Sequence, residues 1–349
     1  MRFVTLAIVF VLGCAGTPPP APNAPVATTK TARSACEEVD EHLENAIDAE
    51  LTEGRFDAAL ARATSALDTC VRDPRAETTD RERVRVRRAG ALLSAGKIDE
   101  GEAEAKRAYE TLVDAVGKEH VDTAFAMRER VSAFVYRRDY AAAKALELEL
   151  LAIYKKTGQD QDHARTLSKH AVLLARLFER GEAVSFAKRG VEAARAAFPA
   201  ESREVAYAIG AVGEVHRMAN ELDAAEPHLV ESLAMLERLL GKSDSSVASA
   251  ANNLAAFYHY GKHDLAKAEP LYRRALEQRR TYHPANNTNT GQVLLNLGAL
   301  LCEKGEWDEG RALFDEGAAI MERNGGKNNP ELARSRAWLK RIEEQKARP

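Results

Sequence analysis

The chain has 349 residues, of which 45% are apolar and only 6% aromatic. Alanine supplies much of the apolar fraction, and small helix-forming residues with few aromatic runs favour an all-α fold of closely packed helices. The 50 Lys and Arg residues nearly balance the 53 Asp and Glu residues, which argues against nucleic-acid binding driven by bulk charge.

The N-terminus has the pattern of an export signal. Arg2 precedes an apolar run from Phe3 to Gly13, which is shorter than the ~20 residues that a membrane-spanning helix needs. The run ends in Val-Leu-Gly-Cys, which resembles a bacterial lipoprotein box. That resemblance implies a signal peptide at residues 1–13, cleavage before Cys14 and lipidation of Cys14. Two alternatives stay open, namely ordinary cleavage near Ala15 that releases a soluble protein, and no cleavage.

Residues 14–35 are the predicted tether between the lipid and a folded body. They hold five of the twelve prolines and have no periodic apolar face, so they cannot bury enough surface to fold. The residue after Cys14 is Ala15 rather than the Asp that often marks inner-membrane retention. By analogy, we expect a lipid-anchored protein on the periplasmic face of the outer membrane.

From Cys36 onward a phrase of small and apolar residues recurs. The stretch AEPLYRRAL, which begins at Ala268, has six counterparts, and consecutive copies begin 42, 42, 40, 42, 43 and 42 residues apart. The copies begin at Ala59, Gly101, Ala143, Ala183, Ala225, Ala268 and Gly310. A second series of alanines follows the same period, at Ala124, Ala164, Ala206 and Ala248. Seven copies in phase indicate a repeat that occupies nearly the whole mature chain.

Each copy has the features of a helical hairpin. An apolar-periodic helix ends near a Gly or a charged residue, for example at Gly96, and a second helix then begins, with Pro227 and Pro270 expected in the first turn of two of them. The eighth residue of the phrase is small in six copies, where two helix backbones must approach. A single hairpin cannot bury its own apolar face, so the repeats must stack.

Two cysteines flank the predicted turn of the first hairpin. Cys36 lies about as far before Gly54 as Cys70 lies after it, so antiparallel helices would bring them to similar heights. A disulfide between them would be favoured in an oxidising compartment. The alternative of two separate buried thiols stays open. Cys302 lies in an apolar run and is expected to be an inert core thiol.

The repeated phrase resembles the tetratricopeptide repeat, and its period of 42 is similar to the longer repeat of kinesin light chains. The stretches NNLAAFY (252–258) and GKEHVDTA (117–124) resemble the repeat sequences of that subfamily. The resemblance implies an all-α, right-handed superhelical solenoid of about seven helix-turn-helix repeats over residues 36–329. Residues 330–349 are predicted to form a capping helix with Trp338 inward.

In this family the first helices line the concave face, and an Asn in mid-helix commonly holds the backbone of a bound peptide. The matching positions here carry Asn45, Arg87, Glu129, Lys169, Ala211, Asn253 and Asn296. One turn earlier on the same face are Arg83, Phe125, Arg165 and Tyr207. These positions predict a peptide-binding groove. The full carboxylate clamp of chaperone-binding relatives is absent from consecutive repeats, so a C-terminal carboxylate is not the expected ligand. The alternative is that the asparagines cap helices or face water.

The remaining motifs give little indication of a catalytic or metal site. The basic stretch RERVRVRR (81–88) is either a solvated helix face or an anion contact at Arg83 and Arg87. His259 and His263 straddle Gly261 and are expected to be solvated turn residues rather than metal ligands. The sequence has no Gly-rich phosphate loop, paired-Cys zinc spacing or nucleophile motif.

The expected function is therefore a non-enzymatic scaffold that binds a protein or peptide, with membrane contact through the lipid alone, no nucleic acid, no cofactor and no metal. One alternative is an accessory lipoprotein for the assembly of an outer-membrane machine or for secretion. The other is an enzyme with an unrecognised site, which a cluster of titratable residues from several repeats would support.

Overall fold

The computed structural model describes residues 34–52, 55–241, 244–282, 288–325 and 330–346. The predicted signal peptide, Cys14, nearly all of the tether and the turn residue Gly54 lie outside the described residues. A search of the described helices finds none with the length and apolar character that crossing a membrane requires.

Fifteen α-helices and one π-helical turn, with no strand, make up the regular structure in these ranges. The helices are α1 (Ala35–Thr52), α2 (Phe56–Arg72), α3 (Thr78–Ser94), α4 (Ile98–Val116), α5 (Val121–Tyr136), α6 (Tyr140–Lys156), α7 (Asp160–Arg176), α8 (Arg180–Ala197), α9 (Arg203–Met218), α10 (Leu222–Leu240), α11 (Ser245–Ala256), α12 (Leu265–Tyr282), α13 (Thr288–Lys304), α14 (Trp307–Gly325) and α15 (Pro330–Lys346). The π-helical turn, Phe257–Lys262, continues α11. The prediction of an all-α solenoid is confirmed.

The helices pack in chain order as seven hairpins followed by α15. In each hairpin the odd-numbered helix comes first, and we call it the first helix; its even-numbered partner is the second helix. First helices of successive hairpins also contact one another along the stack; these pairs are α1 with α3, α3 with α5, α7 with α9 and α11 with α13. We call the surface that the first helices form the inner face. The approach between α5 and α7 is less close among the described residues, and so is that between α9 and α11.

The turn inside each hairpin repeats in backbone geometry as well as in sequence. From the second hairpin to the seventh, one residue of this turn has a positive φ, between 54° and 90°. These residues are Gly96, Arg138, Phe178, Asn220, His263 and Gly305, spaced 42, 40, 42, 43 and 42 apart, which are the steps of the sequence repeat. Only two of the six are glycine, so four side chains occupy a region that usually favours glycine.

The small residues of the repeat lie where helices cross. Ala108, Gly190 and Gly317 are all buried, and a Cβ placed on Gly317 would lie 2.8 Å from the Gly291 carbonyl oxygen and 2.9 Å from the Leu295 nitrogen. The second alanine series is also buried, with each residue at most 1% exposed. Both series therefore allow neighbouring helix backbones to pack closely, as stacking of the repeats requires, since any larger side chain would push two backbones apart.

The second helices begin earlier than the sequence suggests. Because α10 begins at Leu222 and α12 at Leu265, Pro227 and Pro270 are each the sixth residue of their helix. The prediction that these prolines lie in the first turn is wrong. Glu221, the residue before α10, makes no side-chain capping bond, so α10 has no capping signal at its true start. Asp264, the residue before α12, accepts a hydrogen bond from the Lys267 amide and could have marked that start.

The capping helix α15 packs on α13 and α14 through Leu332 and Leu339, which are buried. Trp338 is only half-buried. Its ring lies edge-on to Tyr260, with the centroids 5.3 Å apart, and to His259, with the centroids 6.2 Å apart. The cap therefore closes the end of the core and also contributes an aromatic side chain to the inner face.

Candidate functional site

Three cavities lie along the inner face, and each is lined mainly by first helices. The N-terminal pocket, of about 430 Å³, lies on α1, α3 and α5. The central pocket, of about 710 Å³, lies on α5, α7 and α9 and reaches α6 and α8 below them. The C-terminal pocket, of about 1040 Å³, extends from α7 to α15. Arg128 lines both the N-terminal and the central pocket, and Arg176 lines both the central and the C-terminal pocket. The three cavities are thus sections of one groove.

The N-terminal pocket is polar, and its cations already have partners. Arg83 donates from Nε and Nη2 to the two carboxylate oxygens of Asp122, at 2.8 and 2.9 Å. This bidentate hydrogen bond raises the pKa of Arg83, against the opposing effect of its partial desolvation. Arg87 donates to Asp40 Oδ1 at 2.9 Å. Phe125 also lines this pocket.

The basic stretch 81–88 is therefore neutralised within the fold. Arg85 contacts Glu82 and Glu104, and Arg88 contacts Glu104 as well. Together with the pairs of Arg83 and Arg87, four of its arginines face carboxylates. The stretch is thus not the plain solvated face that one reading proposed, and an anion at Arg83 or Arg87 would have to compete with Asp122 and Asp40.

The central pocket has largely apolar walls. Val131, Val135, Leu150, Leu173 and Phe198 line it, together with small residues that include Ala208 and Ala211. Two residues of the second helix α6, Glu147 and Leu150, also line this pocket. Leu150 occupies a repeat position that is small in the other copies, so the irregularity in sequence coincides with the cavity.

Cationic side chains of α7 face this apolar cavity. Lys169 and Arg176 are seven residues apart on one face of the helix, with Val172 between them. The Lys169 side chain is exposed to the cavity, yet the cavity walls surround much of it. This desolvation, together with the nearby charge of Arg128, lowers the pKa of Lys169 despite the opposing carboxylates of Glu129 and Glu147. Tyr207, 46% exposed, borders the cavity and donates its hydroxyl to Ser246 Oγ at 2.6 Å.

The C-terminal pocket is rich in amides. Asn253 is exposed on its wall, and its side chain makes no hydrogen bond to another described residue. Asn296 is only 6% exposed and already bonded: Nδ2 donates to Asn252 Oδ1, and Oδ1 accepts from Gln292 Nε2, both at 3.1 Å. The amide of Asn253 is therefore available to a ligand, whereas the amide of Asn296 mainly fixes its neighbours. Trp338 and Tyr260 supply an aromatic wall.

Seven of the eight predicted groove residues line one of the three pockets: Arg83, Arg87, Phe125, Lys169, Tyr207, Asn253 and Asn296. The eighth, Asn45, is exposed on α1 and lines none of them. Their role in binding stays a prediction. Sequence reasoning missed Arg176 and Trp338; the spacing of seven from Lys169 could have identified Arg176, but nothing in the repeat pattern places a side chain of the cap.

The two cysteines of the first hairpin are joined. Cys36 and Cys70 form a disulfide, with their Cα atoms 4.5 Å apart, and it links the start of α1 to the end of α2. Cys302 is a buried free thiol against the core of the last hairpin. Because α1 also lines the N-terminal pocket, the disulfide restrains one wall of the groove.

His259 is not the solvated turn residue that the sequence suggested. It lies in the π-helical turn with none of its surface exposed, and its Nε2 is 3.0 Å from Glu303 Oε2. Desolvation lowers its pKa, although Glu303 acts in the opposite direction. Within the described ranges no group of His, Cys, Asp and Glu side chains is arranged to hold a metal ion.

Comparisons with known proteins agree with this architecture. Residues 205–245, 247–285 and 290–331 match the model of the tetratricopeptide repeat family, which covers the last three hairpins. The resemblance predicted from the sequence is thus confirmed for these hairpins. No curated protein sequence matches the chain.

Several solved structures are similar to this chain in fold. The Rap protein complexed with competence and sporulation factor has a TM-score of 0.64 and 13% identity, over 88% of this chain and 86% of that one. NprR in complex with its cognate peptide NprX has a TM-score of 0.57 and 14% identity, over 90% of each chain. BtubC (BKLC) from P. vanneervenii has a TM-score of 0.51 and 22% identity, over 66% of this chain and 93% of that one. At these identities the similarity concerns the fold.

Proposed function

We propose that this protein is a non-enzymatic scaffold that binds an extended protein or peptide segment along its inner face. The observation that supports this proposal most directly is the continuity of the groove, since Arg128 and Arg176 each line two adjacent pockets. A groove that passes from α1 to α15 suits a polymer better than a compact metabolite, which a closed cavity would surround more completely.

The chemistry of the groove suits a peptide. The free amide of Asn253 offers both donors and an acceptor to a main chain, which lets it hold an extended segment without selecting a side chain. Aromatic side chains such as Trp338 and Tyr207 add contact area at a low cost in conformational entropy. The structure of NprR with its cognate peptide shows that a protein of similar fold binds a peptide.

We further propose that the scaffold is held at a bacterial membrane by a lipid on Cys14, with the Pro-rich residues up to 35 as its tether. The support is the sequence alone, namely the apolar run that ends at Cys14. Each buried methylene of an acyl chain contributes about 0.8 kcal/mol, so the two or three chains of a lipoprotein anchor would hold the protein firmly. The periplasmic face of the outer membrane is the proposed location.

A photo-crosslinking experiment tests the groove. A photoreactive amino acid replaces Tyr207 on the inner face or, as the outer control, Arg195, which is exposed on α8 and lines none of the three pockets. Crosslinking in intact cells, followed by peptide identification, is expected to yield adducts with one common protein at Tyr207 and not at Arg195. Equal adducts at both positions would contradict the proposal.

A matched pair of substitutions then tests the amide. Asn253→Ala removes the free amide from the pocket, whereas Asn45→Ala removes an exposed amide that lines no pocket. The loss of one hydrogen bond costs about 1 kcal/mol, so Asn253→Ala should lower the crosslink yield at Tyr207 about fivefold under subsaturating conditions, while Asn45→Ala leaves it unchanged. An equal effect of the two substitutions would argue against main-chain recognition in this pocket.

The anchor has its own test. Protein that carries a lipid on Cys14 should enter the detergent phase in a phase-separation assay, and Cys14→Ala should remain as precursor or appear in the aqueous phase. Equal partitioning of the two forms would refute lipidation and leave the groove proposal unaffected.

A further inference from the structure

One arginine near the end of α12 is buried without a carboxylate partner. Arg279 is 1% exposed and is the largest fully buried side chain among the described residues. The other arginines of this helix all contact carboxylates; the pairs are Arg273 with Glu309, Arg274 with Glu237 and Arg280 with Glu316. Arg279 departs from this pattern, because no carboxylate oxygen of a described residue is within 4.0 Å of its guanidinium.

The hydrogen bonds of Arg279 use only one of its three nitrogens. Nη2 donates to Ser249 Oγ at 2.6 Å and to the Ser245 carbonyl oxygen at 3.3 Å, which ties the end of α12 to the start of α11. Nε and Nη1 are buried and have no acceptor in the described parts of the chain. Most of the N–H donors of this guanidinium therefore lack a partner.

The neighbouring chain supplies no counter-charge to Arg279. Asp244 caps α11, but its carboxylate oxygens accept from the Ser246 amide and from Arg203, at 2.7 and 2.8 Å. Residues 242–243, which precede α11, and residues 283–287, which follow α12, contain no Asp or Glu. A negative charge at Arg279 therefore has no source in the segments next to it.

Arg279 nevertheless carries its charge. Desolvation lowers its pKa to about 10, which is still well above the pH of a cell or of the periplasm. A buried charge is strongly unfavourable when nothing replaces the water that it has lost, and proteins normally pair such groups. A cation in this environment therefore requires an anion.

A second buried polar group without a partner lies close to Arg279 along the chain. Thr290, in the first turn of α13, is 2% exposed, and its Oγ1 makes no hydrogen bond to a described residue. Arg279 and Thr290 each lie within about one turn of residues 283–287, on opposite sides of that connection. Because α12 packs on α13, both groups are at the same end of the helix pair. The positive end of the α13 dipole is also there, and it favours an anion.

We infer that Arg279 binds a small inorganic anion where α11, α12 and α13 meet. Nε and Nη1 of Arg279 donate to the anion, and the Thr290 hydroxyl donates to it from α13. Burial of the guanidinium limits the ligand to a compact anion, namely a halide or an oxyanion the size of phosphate. The site is separate from the groove and adds a ligand to the proposed function. It supports the groove, because Arg279 is bonded to α11, which also carries Asn253.

Equilibrium dialysis with radiolabelled chloride or phosphate tests the inference directly. The full chain, purified in detergent, is dialysed in sodium gluconate at constant ionic strength, because gluconate is too large for a site enclosed by three helices. Wild type is expected to bind a single ion per chain in a saturable manner. Saturation by chloride assigns a halide and saturation by phosphate assigns an oxyanion, and either result supports the site.

Variants then locate the bound ion. Arg279→Met removes the buried charge and should abolish saturable binding. The matched control is Arg280→Met, which removes a charge from the next residue, where the side chain is exposed and contacts Glu316, and it should bind as wild type does. Thr290→Val keeps the shape of the side chain and should raise the dissociation constant about fivefold, the effect of one lost hydrogen bond. All variants are checked for wild-type helicity.

Hydrogen exchange in α11 separates a bound anion from a purely structural arginine. Protection of wild-type α11 should rise with the concentration of the anion, to about tenfold when the anion is at about ten times its dissociation constant. In gluconate alone, Arg279→Met should be at least as protected as wild type, because it removes a buried charge that lacks a counter-ion. If Arg279 served only to bond Ser249 and Ser245, this variant would be less protected than wild type.

Several results would overturn the inference. One is the absence of saturable binding of either ion to wild type. Another is equal binding by wild type and Arg279→Met, or an equal loss in Arg279→Met and Arg280→Met, which would indicate a general effect of charge. An unchanged dissociation constant in Thr290→Val would contradict the site as described. None of these results affects the groove proposal, which the crosslinks at Tyr207 test separately.

Discussion

The disulfide should decide whether the first hairpin stays folded. Cys36 and Cys70 join α1 to α2, and α1 otherwise contributes only Leu43 and Ile47 as buried aliphatic side chains among its described positions. Burying two such side chains contributes about 3 to 6 kcal/mol, which is less than the cost of ordering an 18-residue helix at about 1 to 2 kcal/mol per residue for the backbone. Reduction should therefore open α1 without unfolding the rest of the chain.

The size of the effect follows from the length of the closed loop. The two cysteines are 34 residues apart, and the chain-entropy relation gives about 3.8 kcal/mol for a crosslink of that span. A free-energy change of that size corresponds to nearly three decades in an opening equilibrium. Because each hairpin contacts chiefly its neighbours, the effect should fade within one or two repeats.

Hydrogen exchange measured by mass spectrometry on oxidised and reduced protein tests this prediction. Amide protection in α1 should fall up to about a thousandfold on reduction, while protection in α13 stays unchanged. The double variant Cys36→Ser and Cys70→Ser should exchange like the reduced protein and should not respond to reductant.

The reasoning would be refuted if α1 were equally protected in the oxidised and reduced proteins. Thiol counting gives an independent check on unfolded, unreduced protein with Cys14 acylated. One free thiol, from Cys302, is expected, and three would show that Cys36 and Cys70 are not joined.

Three further predictions concern the stack itself. Phe178, 79% exposed with φ of 62°, loses little contact when replaced, so Phe178→Gly should stabilise the protein by about 0.5 to 1 kcal/mol in chemical denaturation; an unchanged midpoint would contradict the strain argument. Gly317→Ala should lower the free energy of unfolding by about 1 to 3 kcal/mol, because the new Cβ would strike backbone atoms of the neighbouring helix. A Cβ on Gly181 would have no atom within 4 Å, so Gly181→Ala should not destabilise the protein. Equal denaturation midpoints for the two variants would show that the helices cross less closely at Gly317 than described. Burial lowers the pKa of His259, so the stability that depends on its neutral form is complete above about pH 6.5 and is lost as the pH falls below that value. The variant His259→Gln should therefore lose less stability than wild type between pH 7.5 and pH 5. An identical loss in the two proteins would assign it to other groups.

The repeat and its hairpins could be predicted because their signals are local. A period of about 42 residues, a small residue at each helix crossing and a turn at a fixed offset are all visible in sequence, and Ala124 or Gly317 can be assigned to the core from its place in the period alone. The turn residues show the limit of this reasoning. Arg138 and Phe178 adopt positive φ without being glycine, because the geometry of the stacked helices imposes the turn on whatever residue the period places there.

The candidate site was less predictable because its chemistry depends on partners one repeat away. Arg87 was correctly placed on the inner face, yet its contact with Asp40, 47 residues away, could not be read from the helix that carries it. His259 was misjudged for the same reason: Glu303, 44 residues further on, and Trp338 of the cap complete its buried environment. Sequence spacing predicts which face of a helix a residue lies on. Whether a charge on that face is paired depends on residues of the adjacent hairpin.

Pairing between hairpins is also what makes an unpaired cation informative. A recurring pattern of the stack is an ion pair between residues about one repeat apart, as Arg203 forms with Asp244 and Arg273 with Glu309. Lys169 and Arg176 depart from it in the copies where the sequence repeat is also least regular, next to Leu150. The irregularities in charge and in side-chain size therefore fall at the same place on the inner face. A cation without a carboxylate partner beside a cavity can pair with a ligand, so this coincidence supports the proposed binding function of the groove.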